Sequence, residues 1–150
     1  MSDDAQDRDG IVTEMHRDAG LAVSTAEGFG VALDFSTESI GALERLVPRV
    51  VSLGGRASAD DADRHAASLR GVIKAWGADI GETLRRCHGG TWTRDEYGLG
   101  VLLPTGVTAH PHNKVEKRLR DGPGDSLTGF FAMVARPELG QVLRERPDAP

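Results

Sequence analysis

Apolar residues along this chain change their spacing twice, which divides it into helices, a small sheet and helices again. Ile11, Val12, Met15, Ala19, Ala22, Val23 and Ala26 recur at helical spacing, predicting a first helix from Ile11 to about Phe29. Gly28 and Gly30 mark its exit, and Val31 to Phe35 alternates as a short extended segment would. Ser36 then offers an N-cap and Glu38 a first-turn carboxylate for a second helix. Its buried stripe is Ile40, Leu43, Leu46 and Val47, and Pro48 kinks or ends it. Gly54-Gly55 is the next break, after which the acids between Ser58 and Asp63 suit a helix start.

The most regular stripe follows. Leu69, Val72, Ile73, Trp76, Ile80 and Leu84 lie on one face of a long helix. It should stop at Gly89-Gly90, with Arg85, Arg86 and His88 in the last turn, where cations suit the helix dipole. The period then shortens. Thr91 to Thr93, Leu99 to Leu103 and Val107 to Ala109 are β-rich runs separated by Asp95-Glu96-Tyr97-Gly98 and Pro104-Thr105-Gly106. They predict a three-strand antiparallel meander. Asn113 to Arg120 returns to helix, with Val115 and Leu119 inward, and ends in the turn Asp121-Gly122-Pro123-Gly124. Asp125 or Ser126 caps a last helix carrying Leu127, Phe130, Phe131 and Val134; Pro137 ends it, with a weak turn around Leu139 to Leu143. The expected fold class is α+β in a single domain: N-terminal helices, a small meander, then C-terminal helices packed on it. The domain spans 11–145 on this reading. Residues 1–10, rich in aspartate, form a flexible acidic tail, and 146–150, with two prolines, fray.

Composition narrows the function classes. A chain of 150 residues, 39% hydrophobic, is one domain with a packed core. It carries 18 basic and 23 acidic residues, a net charge of −5, which argues against charge-driven binding to nucleic acid or anionic membranes. Cys87 is the single cysteine, so no internal disulfide forms and a reducing compartment fits. No apolar run approaches the ~20 residues of a membrane span. The acidic N-terminus is unlike a secretory signal, so the expected location is the cytoplasm.

Two separated blocks carry a resemblance. Trp76-Gly77-Ala78-Asp79-Ile80-Gly81-Glu82-Thr83-Leu84-Arg85-Arg86 followed by Gly89-Gly90-Thr91-Trp92 forms the first. The second is Pro111 to Leu119, then Gly122, Asp125-Ser126-Leu127 and Phe130-Phe131. Together with Leu33-Asp34-Phe35-Ser36, they resemble a family of small bacterial proteins, largely actinobacterial, that has no assigned activity. His112 stands where that family pattern leads one to expect an aromatic residue. The resemblance covers roughly 33–134 and implies a fold, not a reaction.

Individual residues invite chemistry. Gly77 and Gly81 sit inside a helix, where each costs ~1 kcal/mol against alanine, so either a neighbouring element approaches closely there, such as the strand carrying Trp92, or the glycines leave a smooth groove for a ligand or partner peptide; close packing is favoured. Glu82, on the edge of the apolar stripe beside Arg85 and Arg86, is either an ion-paired acid or a general base. His110 and His112 are its candidate acid–base partners. Cys87, His88, His110 and His112 do not have zinc-site spacing, so no metal is expected, and Cys87 reads as a small buried residue. No nucleophile elbow, phosphate loop or dinucleotide fingerprint is present, so no cofactor is expected. Gly122-Pro123-Gly124-Asp125-Ser126 is a turn and cap rather than an anion site, because Asp125 would repel an anion.

Lys114, Lys117 and Arg118 share one helix face, with Arg120 on its flank and Arg85 and Arg86 in reach if the helices pack together. That face docks an acidic partner or an anion, or is a solvated surface balanced by Glu116 and Asp121. As a surface, its joint replacement by alanine should change stability by no more than ~0.5 kcal/mol. The leading expectation is a non-catalytic interaction module that docks a protein partner. It would be an immunity-type protein, whose acidic surface complements a basic toxin, or an adaptor in a larger assembly. The alternative is a small enzyme in which Glu82 works with His110 or His112 on an anionic ligand. A third reading is a structural homo-oligomer joined through an exposed patch of Leu127, Phe130 and Phe131.

Overall fold

The computed structural model describes residues 2–52 and 59–136. In chain order it comprises α1 (Ser2–Gly28), α2 (Thr37–Ser52), α3 (Ala59–His88), β1 (Thr91–Asp95), β2 (Gly98–Leu102), β3 (Thr108–Ala109), α4 (Pro111–Asp121), a single 3-10 turn (Pro123–Asp125) and α5 (Leu127–Val134). The class is α+β, with the strands between two groups of helices.

α3 is the axis. Residues 66–68, 70 and 71 are exposed, yet all ten residues from Ala75 to Leu84 are buried, so this stretch is enclosed on every side. α1 lays Ile11, Met15, Ala19, Ala22 and Ala26 along α3, and the three alanines permit close approach. The sheet and α4 cover another side of α3, while α2 and α5 pack against each other. These surfaces merge into one hydrophobic core containing Trp76, Ile80, Leu84, Trp92, Val101, Val115, Leu127 and Phe131.

The sheet has strand order β1-β2-β3, all antiparallel, with Trp92 opposite Val101 and Asp95 opposite Gly98. Gly98 takes φ +107°, closing a two-residue hairpin at Glu96-Tyr97 that a side-chain-bearing residue would strain. α3 ends where Gly89 turns left-handed at φ +79° and its N–H bonds the Arg85 carbonyl at 2.9 Å.

Several boundaries differ from expectation. α1 starts at Ser2 rather than Ile11, so the acidic stretch is helical; once Ile11 and Met15 are packed, adding turns to an existing helix costs little. Val31 to Phe35 is not a strand, because no strand among the described residues pairs with it. It ends in a tight turn in which Asp34 Oδ1 accepts from the Ser36 N–H at 3.1 Å and from its hydroxyl. Pro48 neither ends nor interrupts α2, which runs on to Ser52. α4 starts two residues earlier than Asn113, since Pro111 is well placed in a first turn. Ser126, rather than Asp125, caps α5, its hydroxyl accepting from the Gly129 N–H at 3.0 Å. The breaks at Gly54-Gly55 and Pro137 and the turn at Leu139 to Leu143 lie outside the described residues.

Candidate functional site

The enclosed half of α3 carries two carboxylates, Asp79 and Glu82, both with no exposed surface. Residues three, four and seven apart share a helix face, so Asp79, Glu82 and Arg86 form one polar strip. The space beside it comes from glycine. A Cβ on Gly81 would collide with the Trp92 ring, and one on Gly77 with the His112 ring. The expected close approach is therefore present at both glycines, from β1 and from the start of α4.

With its ring seated over Gly81, Trp92 directs its indole Nε1 to Glu82 Oε2 at 2.8 Å. Arg85 donates to both oxygens, from Nε at 2.9 Å and from a terminal nitrogen at 3.1 Å. His16 of α1 places Nε2 at 2.9 Å from Oε1, and Arg86 stands 3.8 Å away. Burial alone would raise the pKa of Glu82, but the Arg85 and Trp92 hydrogen bonds and the nearby cations outweigh it and hold the group below its usual range. The same pairing raises the pKa of Arg85. Glu82 is thus a fixed anion saturated with donors and a poor general base. Its partners reach outward: the side chains of His16, Arg85 and Arg86 are 48%, 34% and 48% exposed.

Asp79 has the opposite surroundings. Neither oxygen finds a hydrogen-bond partner. Burial pushes its pKa up to about 7, with Arg86 acting downward and Asp34 and Glu82 upward. Arg86 lays its guanidinium over the Phe35 ring at 3.9 Å, and Phe35 adopts φ +62°, a conformation that costs a bulky residue energy.

The other sequence candidates are dispersed. His110 caps the sheet end of α4 and lies 2.9 Å from both oxygens of Asp95, with Tyr97 edge-on to its ring. His112 lies against Gly77 and the Trp92 ring. Neither histidine bonds Glu82; the histidine that does is His16. Cys87 is exposed rather than buried, its Sγ near the Phe35 carbonyl, because it falls past the enclosed stretch of α3. His88 packs against Phe131 with the rings tilted at 53°. Among the described residues, no group of three His, Cys, Asp or Glu is placed to hold a metal.

The basic face of α4 is largely spent on internal bonds. Arg118 is buried and pairs with Glu44 of α2 at 2.8 Å, and Glu44 also accepts from the Leu127 N–H at 2.7 Å. Lys114 and Lys117 converge on Asp125 at 3.3 and 3.6 Å. Only Lys117 of the three has more than half its side chain exposed. Asp125 and Glu44 balance Lys114, Lys117 and Arg118, while Asp121, as expected, pairs with Arg120 at 2.9 Å; Arg118 cannot be replaced as a surface residue. Leu127 and Phe131 are buried, which removes the apolar patch expected for a homo-oligomer. Between α2 and α5 lies an apolar cavity of about 350 Å³, whose lining includes Ile40, Phe131 and Ala132 and none of the Glu82 cluster.

Sequence reasoning missed His16 and Asp79. His16 gave no signal, being one polar residue beside the stripe of α1. Asp79 gave a faint one, since it stands between small residues and an isoleucine in the middle of the most regular helix. No helix among the described residues is long and apolar enough to cross a membrane. No family model, no curated protein and no solved structure matches the chain.

Proposed function

We propose that the protein is a non-catalytic interaction module whose docking face is the rim of His16, Arg85 and Arg86 around Glu82. One observation carries the reading. A single fully buried carboxylate bonds His16 and Arg85 and attracts Arg86, and all three of those side chains remain one-third to one-half exposed. Donors fixed in advance lose little freedom on binding, which favours recognition of a carboxylate on a partner. A cationic rim favours an acidic partner, and so an adaptor over an immunity-type inhibitor of a basic toxin. The work takes place in the cytoplasm, where Cys87 stays reduced. Kinship with the small bacterial family, which rests on two separated blocks, belongs to the same proposal; the first of them, Trp76 to Trp92, carries Glu82, Arg85 and Arg86. The enzyme alternative is less well supported, because Glu82 is a weakened base and His110 is engaged by Asp95.

The test is affinity capture from the native cytoplasm with three baits: wild type, Arg86→Glu and Lys117→Glu. A stoichiometric partner retained by wild type and Lys117→Glu but lost from Arg86→Glu is expected. Loss from Lys117→Glu alone moves the docking face to α4. A monomer by light scattering that captures nothing overturns the reading.

A further inference from the structure

A half-buried ionisable group, with both ring nitrogens buried, lies one turn from Trp92 on the glycine-lined face of α3. His112 is in the first turn of α4, and its ring fills the space left by Gly77. Both ring nitrogens are buried without a hydrogen-bond partner. Contact with Gly77 is so close that not even a methyl group would fit between them. A charge on this ring gains only the Lys74 carbonyl and the carboxylates of Glu14 and Asp18, against the loss of solvent around both ring nitrogens.

The groups facing the ring come from three elements. α1 contributes the carboxylates of Glu14 and Asp18, α3 contributes the Lys74 backbone carbonyl, and β1 contributes the uncharged Trp92 ring. The Lys74 carbonyl and the two carboxylates favour the charged ring, but burial outweighs them and lowers its pKa from the usual histidine value. Just before α4, His110 faces Asp95 at 2.9 Å, away from the His112 ring.

We infer that His112 is a pH-sensitive latch that fastens α4 to α3 while neutral and releases the first turn of α4 when acidification charges it. The sign follows from linkage. A histidine whose folded pKa is depressed contributes full stability above about 6.5, its unfolded value. That contribution is lost as pH falls below it. Release would also loosen α5, because Lys114 pairs with Asp125 in the turn before it and Arg118 pairs with Glu44 of α2, which accepts from the Leu127 N–H.

Hydrogen exchange of the α4 amides, corrected for intrinsic chemistry, tests the latch at about pH 7.5 and about pH 5, either side of ordinary histidine titration. Wild-type protection of the Lys114 to Arg118 amides, whose acceptors are the carbonyls of His110 and the first turn, should fall by roughly tenfold for each unit of pKa depression, and His112→Phe, which fills the space without titrating, should keep it. An equal fall in His112→Phe, or none in wild type, overturns the inference. Should His112→Phe fail to fold, NMR titration of the wild-type ring decides. Titration below the usual histidine range, in step with lost α4 protection, supports the latch; titration at or above that range overturns it.

Discussion

Asp79 and Glu82 are two carboxylates less than one turn apart on the same helix, equally hidden from solvent, and they have opposite electrostatic fates. Glu82 meets an indole N–H, a forked guanidinium and an imidazole, so it stays ionised. Asp79 meets no donor and takes up a proton near neutrality. Burial is common to both; what differs is which neighbouring elements supply donors. On the shared strip, Trp92 of β1, His16 of α1 and Arg85 converge on Glu82, and none of their donors reaches Asp79 less than one turn earlier. A buried acid is therefore a structural anchor or a liability according to its partners, and only the anchor organises an outward-facing rim.

The sharpest way to break this contrast is to remove the anchor. Glu82→Ala leaves the Trp92 N–H and the Arg85 fork without their acceptor, and urea unfolding at neutral pH should record a loss of about 3–5 kcal/mol. Asp79→Asn should act in the opposite sense. An acid with a raised folded pKa contributes stability below about 3.8 that is lost as pH rises towards about 7. The variant should be more stable than wild type by about 1–3 kcal/mol at pH 8, with the gain vanishing near pH 4. Equal stabilities at both pH values would show that Asp79 has a partner after all.

Glycines sharpen the comparison further. Gly81→Ala forces a methyl group into the Trp92 ring and should cost about 1–3 kcal/mol in thermal unfolding, with an altered Trp92 environment. Gly71→Ala, at an exposed position of the same helix where nothing would touch the new methyl, should stabilise by about 0.5–1 kcal/mol. The smallest effect belongs to Lys117→Ala, within about 0.5 kcal/mol, because its contact with Asp125 is exposed and duplicated by Lys114.

Much of the fold was legible because its signals are local. The stripe from Leu69 to Leu84, the Gly89 stop, the Glu96-Tyr97 hairpin and the Ser126 cap each follow from spacing and turn chemistry over a few residues. The close approach at Gly77 and Gly81 was legible too, since glycine inside a helix needs a compensating contact. The candidate site was legible only in part. Glu82, Arg85 and Arg86 stood out by their position on one helix, but His16 lies 66 residues upstream of Glu82 and its role depends on how α1 crosses α3.

The amino-acid sequence by itself determined where helices, strands and turns form and that Trp76, Ile80 and Leu84 face inward, because periodicity and backbone preference act over one or two turns. Tertiary structure decided which charge meets which. Arg118 looked like a member of a solvated basic face, yet it is buried against Glu44, 74 residues away. His110 and His112 are two residues apart, yet one meets Asp95 and the other Gly77. The physical reason is reach. A flexible side chain takes whatever partner packing brings within a few ångströms, and in a medium of low dielectric that choice fixes its charge.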